Sequence, residues 1–188
     1  MKDLFGKAIL DFQTNNNPQD LITETSISEA DEMSVAYLFR VYKEMPKLEQ
    51  QALALAKGKI LDVGCGAGSH SLYLQNEKNC DVTAIDISSN AIAACQLRGI
   101  HKTKVQDVMT LHDEKFDTIL LLMNGAGMCG RLKNVAPFLL KLKSLLNENG
   151  QILLDSSDII YMFDEDEDGG KWIPSENEYY GEVVFNIE

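Results

Sequence analysis

A glycine-rich turn that follows an apolar run constrains this chain more than any other feature. Residues 59–68 read Lys-Ile-Leu-Asp-Val-Gly-Cys-Gly-Ala-Gly, so the run ends in three glycines at alternate positions. The apolar run predicts a buried parallel strand, and residues 69–77 predict the helix that follows it. Glycine in such a turn permits positive φ and lets a ligand approach the main chain closely. The segment therefore predicts a nucleotide-type binding turn.

The spacing of these glycines fits neither common phosphate-binding pattern. The dinucleotide fingerprint G-x-G-x-x-G places its third glycine where this chain has Ser69, and the phosphate loop requires a lysine that is absent here. Asp62, just before the turn, would repel a pyrophosphate but attract an ammonium or sulfonium group. These features disfavour a nicotinamide-dependent oxidoreductase. They favour S-adenosylmethionine, which carries both cationic groups and no phosphate.

Residues 60–68 resemble the first motif of class I S-adenosylmethionine-dependent methyltransferases, [IV]-L-D-[VL]-G-C-G-x-G, and the similarity runs from about Lys59 to about Asp158. The resemblance implies a Rossmann-like, doubly wound α/β fold with a mostly parallel sheet and helices on both faces. It also implies S-adenosyl-L-methionine as cofactor. The cofactor-binding residues that it implies in this first motif are Asp62, Gly64, Cys65, Gly66 and Gly68.

Asp86 ends the second predicted strand, about twenty positions after the turn, where an acid accepts hydrogen bonds from ribose hydroxyls. Either Asp86 or Ser88 also fits the cap of a helix over residues 90–98. Both roles are compatible. The resemblance implies that Ile87 packs on the adenine ring.

The third predicted strand ends around residues 104–108 and carries the next cofactor contacts. By resemblance, Asp107 contacts the adenine amino group and Val108 supplies a neighbouring N–H, with Gln106 in the same binding segment. An exposed turn acid is the alternative interpretation of Asp107.

A buried strand over residues 116–123 leads to Asn-Gly-Ala-Gly at residues 124–127. The resemblance implies that main-chain carbonyls near Met123 hold the methionine ammonium of the cofactor and that Asn124 points toward the substrate. Amino-group methylases of nucleic acids often carry [DNS]-P-P-[YFW] here, so the sequence disfavours methylation of a base amine. A helix over 136–146 and a strand over 151–155 complete the resemblance.

The composition bounds the partners. With 188 residues the chain suits one domain, and its formal net charge of −12 disfavours nucleic acid. A small-molecule acceptor is favoured, and a protein acceptor is the alternative. The four cysteines lack C-x-x-C spacing, so no zinc or other metal site or disulfide framework is expected. The absence of a long apolar run or signal peptide predicts a cytoplasmic protein without membrane contact. We expect this protein to be a monomer or a homodimer.

Residues 1–57 are expected to form an N-terminal helical lid, and residues 58–188 the methyltransferase domain. Cap-type residues and early acids at 25–32 predict a helix start, with an apolar face continuing to Met45. That helix either only packs or covers the cofactor. As a lid it would direct Tyr37 and Arg40 toward the substrate, and Arg40 could hold a carboxylate.

The C-terminal part is short for the family. Residues 164–170 predict a solvated acidic loop, because the spacing of an EF-hand calcium site is missing. Residues 182–188 alternate as a strand does. If the C-terminal strands are truncated, the sheet has an exposed edge that invites pairing with a second copy.

Methyl transfer from a sulfonium demands mainly positioning, and a general base only where the acceptor loses a proton. His70, in the first turn after the glycines, is a candidate base or simply a packing residue, so the catalytic residues stay unassigned. Tyr161, Tyr179 and Tyr180 are candidates for contact with the acceptor. The alternative function is a non-catalytic module that binds S-adenosylmethionine or S-adenosylhomocysteine, or a truncated methyltransferase fragment.

Overall fold

The structure is a computed structural model that describes residues 2–173 and 179–188. Its helices are α1 (Leu4–Thr14), α2 (Lys47–Leu55), α3 (Ser69–Asn76), α4 (Ser89–Leu97) and α5 (Val135–Ser144). Its strands are β1 (Leu21–Thr25), β2 (Ser28–Met33), β3 (Lys59–Val63), β4 (Asp81–Asp86), β5 (Thr103–Val105), β6 (Phe116–Leu121), β7 (Leu146–Leu154) and β8 (Phe185–Ile187). The strands form two separate sheets.

The larger sheet has five parallel strands in the order β5-β4-β3-β6-β7. The first strand of this set, β3, lies in the middle, and the chain builds outward on one side before crossing to the other. Strand order therefore reverses between β3 and β6, which places the ligand crevice of such folds at the carboxyl ends of these two strands. The predicted doubly wound α/β fold is confirmed.

Successive residues of β3 enter cores on opposite faces of this sheet. Ile60 packs with Leu53 of α2 and Leu74 of α3, whereas Leu61 packs in the cluster that contains Phe138 of α5. Both faces are thus covered by helices. This two-sided burial explains why the strands read as continuous apolar runs instead of alternating.

The smaller sheet is antiparallel, in the order β2-β1-β8. The helix predicted to begin at residues 25–32 is wrong, because these residues form the hairpin of β1 and β2. The cap-type side chains serve the turn: Thr25 Oγ1 and Ser28 Oγ lie 2.8 Å apart, and the Ile27 N–H donates to Thr25 Oγ1 at 3.3 Å. Ser and Thr stabilise turns by the same local bonds that cap helices.

The rest of the N-terminal segment is helical only in part. One regular helix, α1, precedes the smaller sheet, but the expected apolar helix through Met45 is replaced by two short 3₁₀ turns at Val35–Phe39 and Tyr42–Glu44. Val35 and Leu38 are buried against α1. The boundary between a lid and a catalytic domain at residue 57 stays a prediction.

The predicted C-terminal strand is present as β8, but it pairs with β1 and not with the five-stranded sheet. The acidic loop is closed by its own contacts, since Lys171 Nζ lies 2.6 Å from Glu165 and Trp172 Nε1 donates to Asp166 at 2.6 Å. Among residues 2–173 and 179–188, no His, Cys, Asp and Glu side chains are grouped to hold a metal. No helix in the described part has the length and apolarity to cross a bilayer.

Candidate active site

The glycine turn between β3 and α3 is hydrogen-bonded to the neighbouring strand β4. The N–H groups of Gly64 and Cys65 both donate to the Ile85 carbonyl, at 2.9 and 3.1 Å. All three glycines have positive φ: 67° at Gly64, 52° at Gly66 and 78° at Gly68. The predicted need for glycine at these positions is therefore a backbone requirement.

The three glycines also differ in what lies beside them. A Cβ on Gly68 would meet Ile100 Cδ1 at 2.3 Å and Cys95 Sγ at 2.8 Å, so Gly68 allows close packing of the turn on α4. A Cβ on Gly66 would find no atom nearer than Ile9 Cδ1, at 3.9 Å. Gly66 therefore leaves its main chain open to a ligand.

Gly64 faces the loop that follows β6. A Cβ at Gly64 would lie 2.4 Å from Met128 Cε, which places this half-exposed side chain directly over the turn. The thioether is flexible, so it can move aside for a ligand or pack on one.

Asp86, at the carboxyl end of β4, joins the glycine turn to α4. Its Oδ2 accepts from the Gly66 N–H at 3.0 Å, and its Oδ1 accepts from the Ser88 N–H at 2.9 Å. Ser88 is the helix cap, because its Oγ accepts from the Ala91 N–H at 3.0 Å. A carboxylate has about four acceptor sites, so Asp86 keeps lone pairs for ribose hydroxyls. Ile87 follows it with 79% of its surface exposed.

The predicted adenine segment follows β5. Asp107 Oδ1 accepts from the Met109 N–H at 2.8 Å and so caps a short turn, and Gln106 Nε2 donates to Thr110 Oγ1 at 2.5 Å. Val108 is buried in the core of the α5 face. Asp107 is thus a turn acid at the carboxyl edge of the sheet, and its contact with the adenine amino group stays a prediction.

The loop after β6 contains the predicted Met123 and Asn124, both exposed and both left-handed, with φ of 64° and 62°. Asp155, just beyond β7, accepts hydrogen bonds from the N–H of Met123 itself and from the N–H of Gly125, which follows the pair. The sequence analysis did not assign Asp155 to the site. Its signal was available, because Asp155 ends the predicted strand over residues 151–155 as Asp86 ends its own strand.

Asp62 is buried beneath the turn, with 2% of its surface exposed, and Ser71 Oγ donates to its Oδ2 at 2.6 Å. Burial raises the pKa of the Asp62 carboxyl, and the nearby His70 together with the Ser71 hydrogen bond opposes that rise. The carboxylate is thus held by α3 at the base of the turn. Its attraction for the cofactor cation stays a prediction.

A buried ion pair connects the N-terminal segment to α3. Arg40 Nη2 donates to Glu49 Oε1 and Oε2 at 2.6 and 2.5 Å, and His70 Nε2 donates to Glu49 Oε2 at 2.7 Å. Burial alone would raise the pKa of Glu49, but the hydrogen bonds from His70 and Arg40 outweigh it and lower that pKa. Glu49 was not predicted, because no sequence pattern distinguishes one acid within a helix as the partner of Arg40 and His70.

The side chain of Arg40 is already engaged within the protein, unlike the free side chain expected of a lid that faces the substrate. Arg40 is 6% exposed, its Nη1 donates to the Tyr37 carbonyl at 2.8 Å, and its guanidinium lies 4.0 Å from the centre of the half-exposed Tyr37 ring. Among the buried side-chain nitrogen and oxygen atoms of the described residues, only Arg40 Nε lacks a hydrogen-bond partner. Contact of either side chain with the acceptor stays a prediction.

The candidate tyrosines lie in the segment after β7. The Tyr180 hydroxyl donates to Asp158 Oδ1 at 3.0 Å, and this hydrogen bond raises the pKa of Tyr180 to about 12. Such a phenol does not act as a base near neutral pH. Tyr161, by contrast, is 74% exposed.

A cavity of about 370 Å³ lies at the opposite, amino edge of the sheet and includes Lys59, Lys102 and Lys104 in its lining. Lys102 pairs with Asp81, and Lys59 and Lys104 pair with Glu114. The lysines at this cavity are therefore already paired with carboxylates. The open glycine, Gly66, and the exposed Ile87, Met123 and Asn124 lie instead at the carboxyl edge. We therefore assign the candidate site to the carboxyl edge.

Comparison with known proteins identifies the family of this chain. Residues 55–187 match the family described as Methyltransferase domain. The whole chain is similar to the crystal structure of a SAM-dependent methyltransferase from Bacteroides fragilis in complex with S-adenosyl-L-homocysteine, at 45% identity and a TM-score of 0.89, covering 100% of this chain and 75% of that one.

A more distant likeness concerns the fold alone. An amino pentose methyltransferase from Micromonospora echinaspora, solved with SAM bound, is 17% identical with a TM-score of 0.56, over 73% of this chain and 62% of that chain. Comparison with curated protein sequences gave no match. Because the family match spans more than half of the chain and joins a 45% identical structure, the chain belongs to the class I S-adenosylmethionine-dependent methyltransferases.

Proposed function

We propose that this chain transfers the methyl group of S-adenosylmethionine to a small-molecule acceptor, with the cofactor bound across the carboxyl ends of β3, β4, β5 and β6. The observation that carries the proposal is the junction of Gly66 and Asp86. An open glycine donates its N–H to a carboxylate that retains free lone pairs, directly beside the exposed Ile87. This is an arrangement suited to a ribose and its base.

The adenosine part is proposed to lie between β4 and β5. Asp86 accepts from the ribose hydroxyls, Ile87 covers one face of the adenine, and Asp107 meets its amino group. Met109, 44% exposed, provides further apolar surface at this edge. Burial of these exposed side chains by the ligand contributes roughly 25 cal/mol per Å² of apolar surface.

The methionine part is proposed to lie between the glycine turn and the loop after β6. Main-chain carbonyls near Met123 accept from the ammonium, and Met128 packs over Gly64 beside it. When bound, the cofactor supplies an electrophilic methyl on a sulfonium, and its transfer leaves S-adenosylhomocysteine. The role of the protein is to align the acceptor behind the methyl and to keep water out.

The acceptor is proposed to enter past Asn124, which is exposed at the end of β6. A net charge of −12 repels polyanions such as nucleic acids, which supports a small molecule. A protein acceptor is the alternative outcome of an acceptor screen.

Calorimetric titration with S-adenosylhomocysteine and NAD⁺ tests the cofactor, using two acids from the ends of one strand. Asp86→Asn is expected to weaken S-adenosylhomocysteine binding by about 10- to 100-fold, the loss of hydrogen bonds to a charged group. Asp81→Asn is the matched control, because Asp81 begins β4 at the opposite edge and pairs with Lys102. Binding of NAD⁺ alone, or an equal effect of both substitutions, would contradict the proposed site.

The acceptor class is tested by incubating the protein with S-adenosylmethionine and panels of small amines, alcohols, phenols and thiols, and with a peptide library. Mass spectrometry of the methylated product and of released S-adenosylhomocysteine gives the readout. We expect product from a small molecule that Asp86→Asn reduces. Tight cofactor binding without turnover of any panel would favour the non-catalytic binding module.

A further inference from the structure

The loop after β6 holds two adjacent side-chain-bearing residues in a disfavoured conformation. Met123 and Asn124 have φ of 64° and 62°. Asparagine tolerates left-handed backbone, but for a residue such as methionine this conformation is unfavourable and persists only where the surrounding structure fixes it. A neighbouring group must therefore fix the backbone of this loop, and that group then also determines how the loop meets a ligand.

Asp155 is that group. Its Oδ2 accepts from the Met123 N–H at 3.1 Å and its Oδ1 from the Gly125 N–H at 2.9 Å. Its own N–H donates to the Leu121 carbonyl at 3.2 Å, and its carbonyl accepts from Ala126 at 3.1 Å. Four hydrogen bonds from one residue thus enclose the left-handed pair on both sides.

The neighbours of Asp155 are adapted to this contact. Gly125 is buried, and a Cβ there would meet Leu121 Cβ at 2.6 Å, so only glycine permits the approach. Ser157 Oγ donates to Asn124 Oδ1 at 2.7 Å. Within the described residues Asn124 Nδ2 makes no hydrogen bond, so its amide N–H groups are the ones left for a ligand.

The short helical turn Gly125–Cys129, which continues this loop, touches the glycine turn. Met128, three residues after Gly125, places its Cε over Gly64. A change in the shape of the loop therefore moves groups that lie directly on the turn and at the proposed position of the methionine ammonium. Asp155 itself sits behind the loop and acts on the ligand through it.

We propose that Asp155 is a positioning residue for methyl transfer. It fixes the loop of residues 121–126 so that the Met123 carbonyl meets the ammonium of the cofactor and the Asn124 amide meets the acceptor. This assignment rests on the proposed function, because it takes the methionine part of the cofactor to lie at this loop. It follows that Asp155 matters for ligands that carry an amino-acid group and not for ligands that lack one.

Asp155→Asn tests the proposal with a side chain of the same size. One carboxylate oxygen becomes an NH₂ group, which cannot accept from the main-chain N–H that faces it. We expect calorimetry to show S-adenosylhomocysteine binding weakened by about tenfold or more, as for loss of a hydrogen bond to a charged group. Binding of 5′-methylthioadenosine, which lacks the amino-acid part, should be unchanged.

Asp158→Asn is the matched control, since it removes the same charge three residues away and should change the binding of neither ligand. If Asp155→Asn weakened the binding of both ligands equally, the defect would be a general structural one. If it weakened the binding of neither, the hydrogen bonds of Asp155 would not be needed to position the loop. Either result overturns the proposal. If Asp155→Asn fails to fold, Asp155→Glu, which keeps the charge but displaces the carboxylate, gives the same comparison. A wild-type protein that binds neither ligand would instead refute the proposed function.

Discussion

The two sheets of this molecule differ in how their strands find their partners. In the five-stranded sheet, strands and helices alternate along the chain, and every pairing except that of β3 with β6 joins strands that are consecutive in the sequence. In the three-stranded sheet, β1 pairs with β8, so that Thr23 lies opposite Ile187 near the other end of the chain. The residues proposed to bind the cofactor lie on the first sheet and in the loops at its carboxyl edge, and none of them lies on the second sheet.

This difference indicates a division of labour. We infer that the carboxyl edge of the five-stranded sheet shapes the proposed ligand site and that the N-terminal region stabilises this sheet from outside. The connection includes the buried Arg40–Glu49–His70 cluster and Asp3, whose Oδ2 accepts from Ser88 Oγ at 2.6 Å and from Asn90 Nδ2 at 3.0 Å. Substitutions in the two regions should therefore separate stability from cofactor affinity.

The largest expected effect is at the connection itself. Glu49→Gln leaves the Arg40 guanidinium buried without its countercharge, and breaking such a pair costs about 3–5 kcal/mol of unfolding free energy. For a chain of this size each kcal/mol lowers the unfolding midpoint by about 2–4 °C. Thermal unfolding measures the change. Glu44→Gln is the control, because Glu44 only accepts from the Val41 N–H at an exposed site.

The same variant has a pH signature. The pKa of Glu49 is lowered in the folded protein, below an unfolded value of about 4.3. Its stabilisation is therefore fully present above that unfolded value and is lost as the pH falls through the folded pKa. The difference in unfolding free energy between wild type and Glu49→Gln should shrink below about pH 4. A difference that stays constant in acid would show that the charge of Glu49 is not what stabilises the junction.

Two glycines of the same turn should separate stability from binding. Gly68→Ala introduces a Cβ at positive φ against Ile100 and Cys95, and should lower the unfolding free energy by about 2–3 kcal/mol. Gly66→Ala meets open space and should cost only about 1 kcal/mol from its φ. Yet Gly66→Ala should abolish measurable binding of S-adenosylhomocysteine in calorimetry, because its Cβ fills the face left for the ligand. Retained affinity would place the ligand elsewhere.

Most of the five-stranded sheet was predictable because the sequence patterns that mark its strands and turns are local. Residues 59–68 encode a strand, a turn and a helix start within ten positions, and Asp86 falls at a fixed distance from them. Asp155 shows the limit of that reasoning. Its position at a strand end was visible, but its role depends on the left-handed pair at Met123 and Asn124, which no pattern in the sequence marks.

The smaller sheet was not predictable for a physical reason. The β2 side chains are exposed except at its two ends, so the strand lacks the alternation that marks a half-buried strand. Its acids and cap-type residues are equally suited to a helix start. What selects the hairpin is the turn chemistry at Thr25 and the distant pairing with β8, and a contact between opposite ends of the chain leaves no local trace.

The smallest expected effect tests whether β8 only supports the fold. Ile187 is partly buried against the cluster that holds Ala8, Ile9 and Leu21, whereas Phe185 on the same strand is 54% exposed. Ile187→Ala should cost about 1 kcal/mol, less than a full core truncation, and Phe185→Ala should fall within about 0.5 kcal/mol of wild type. Neither should change S-adenosylhomocysteine affinity, since β8 joins the sheet that bears no cofactor residue. A loss of affinity in Ile187→Ala at unchanged stability would show that the smaller sheet shapes the site through α1, and the division between the two sheets would then fail.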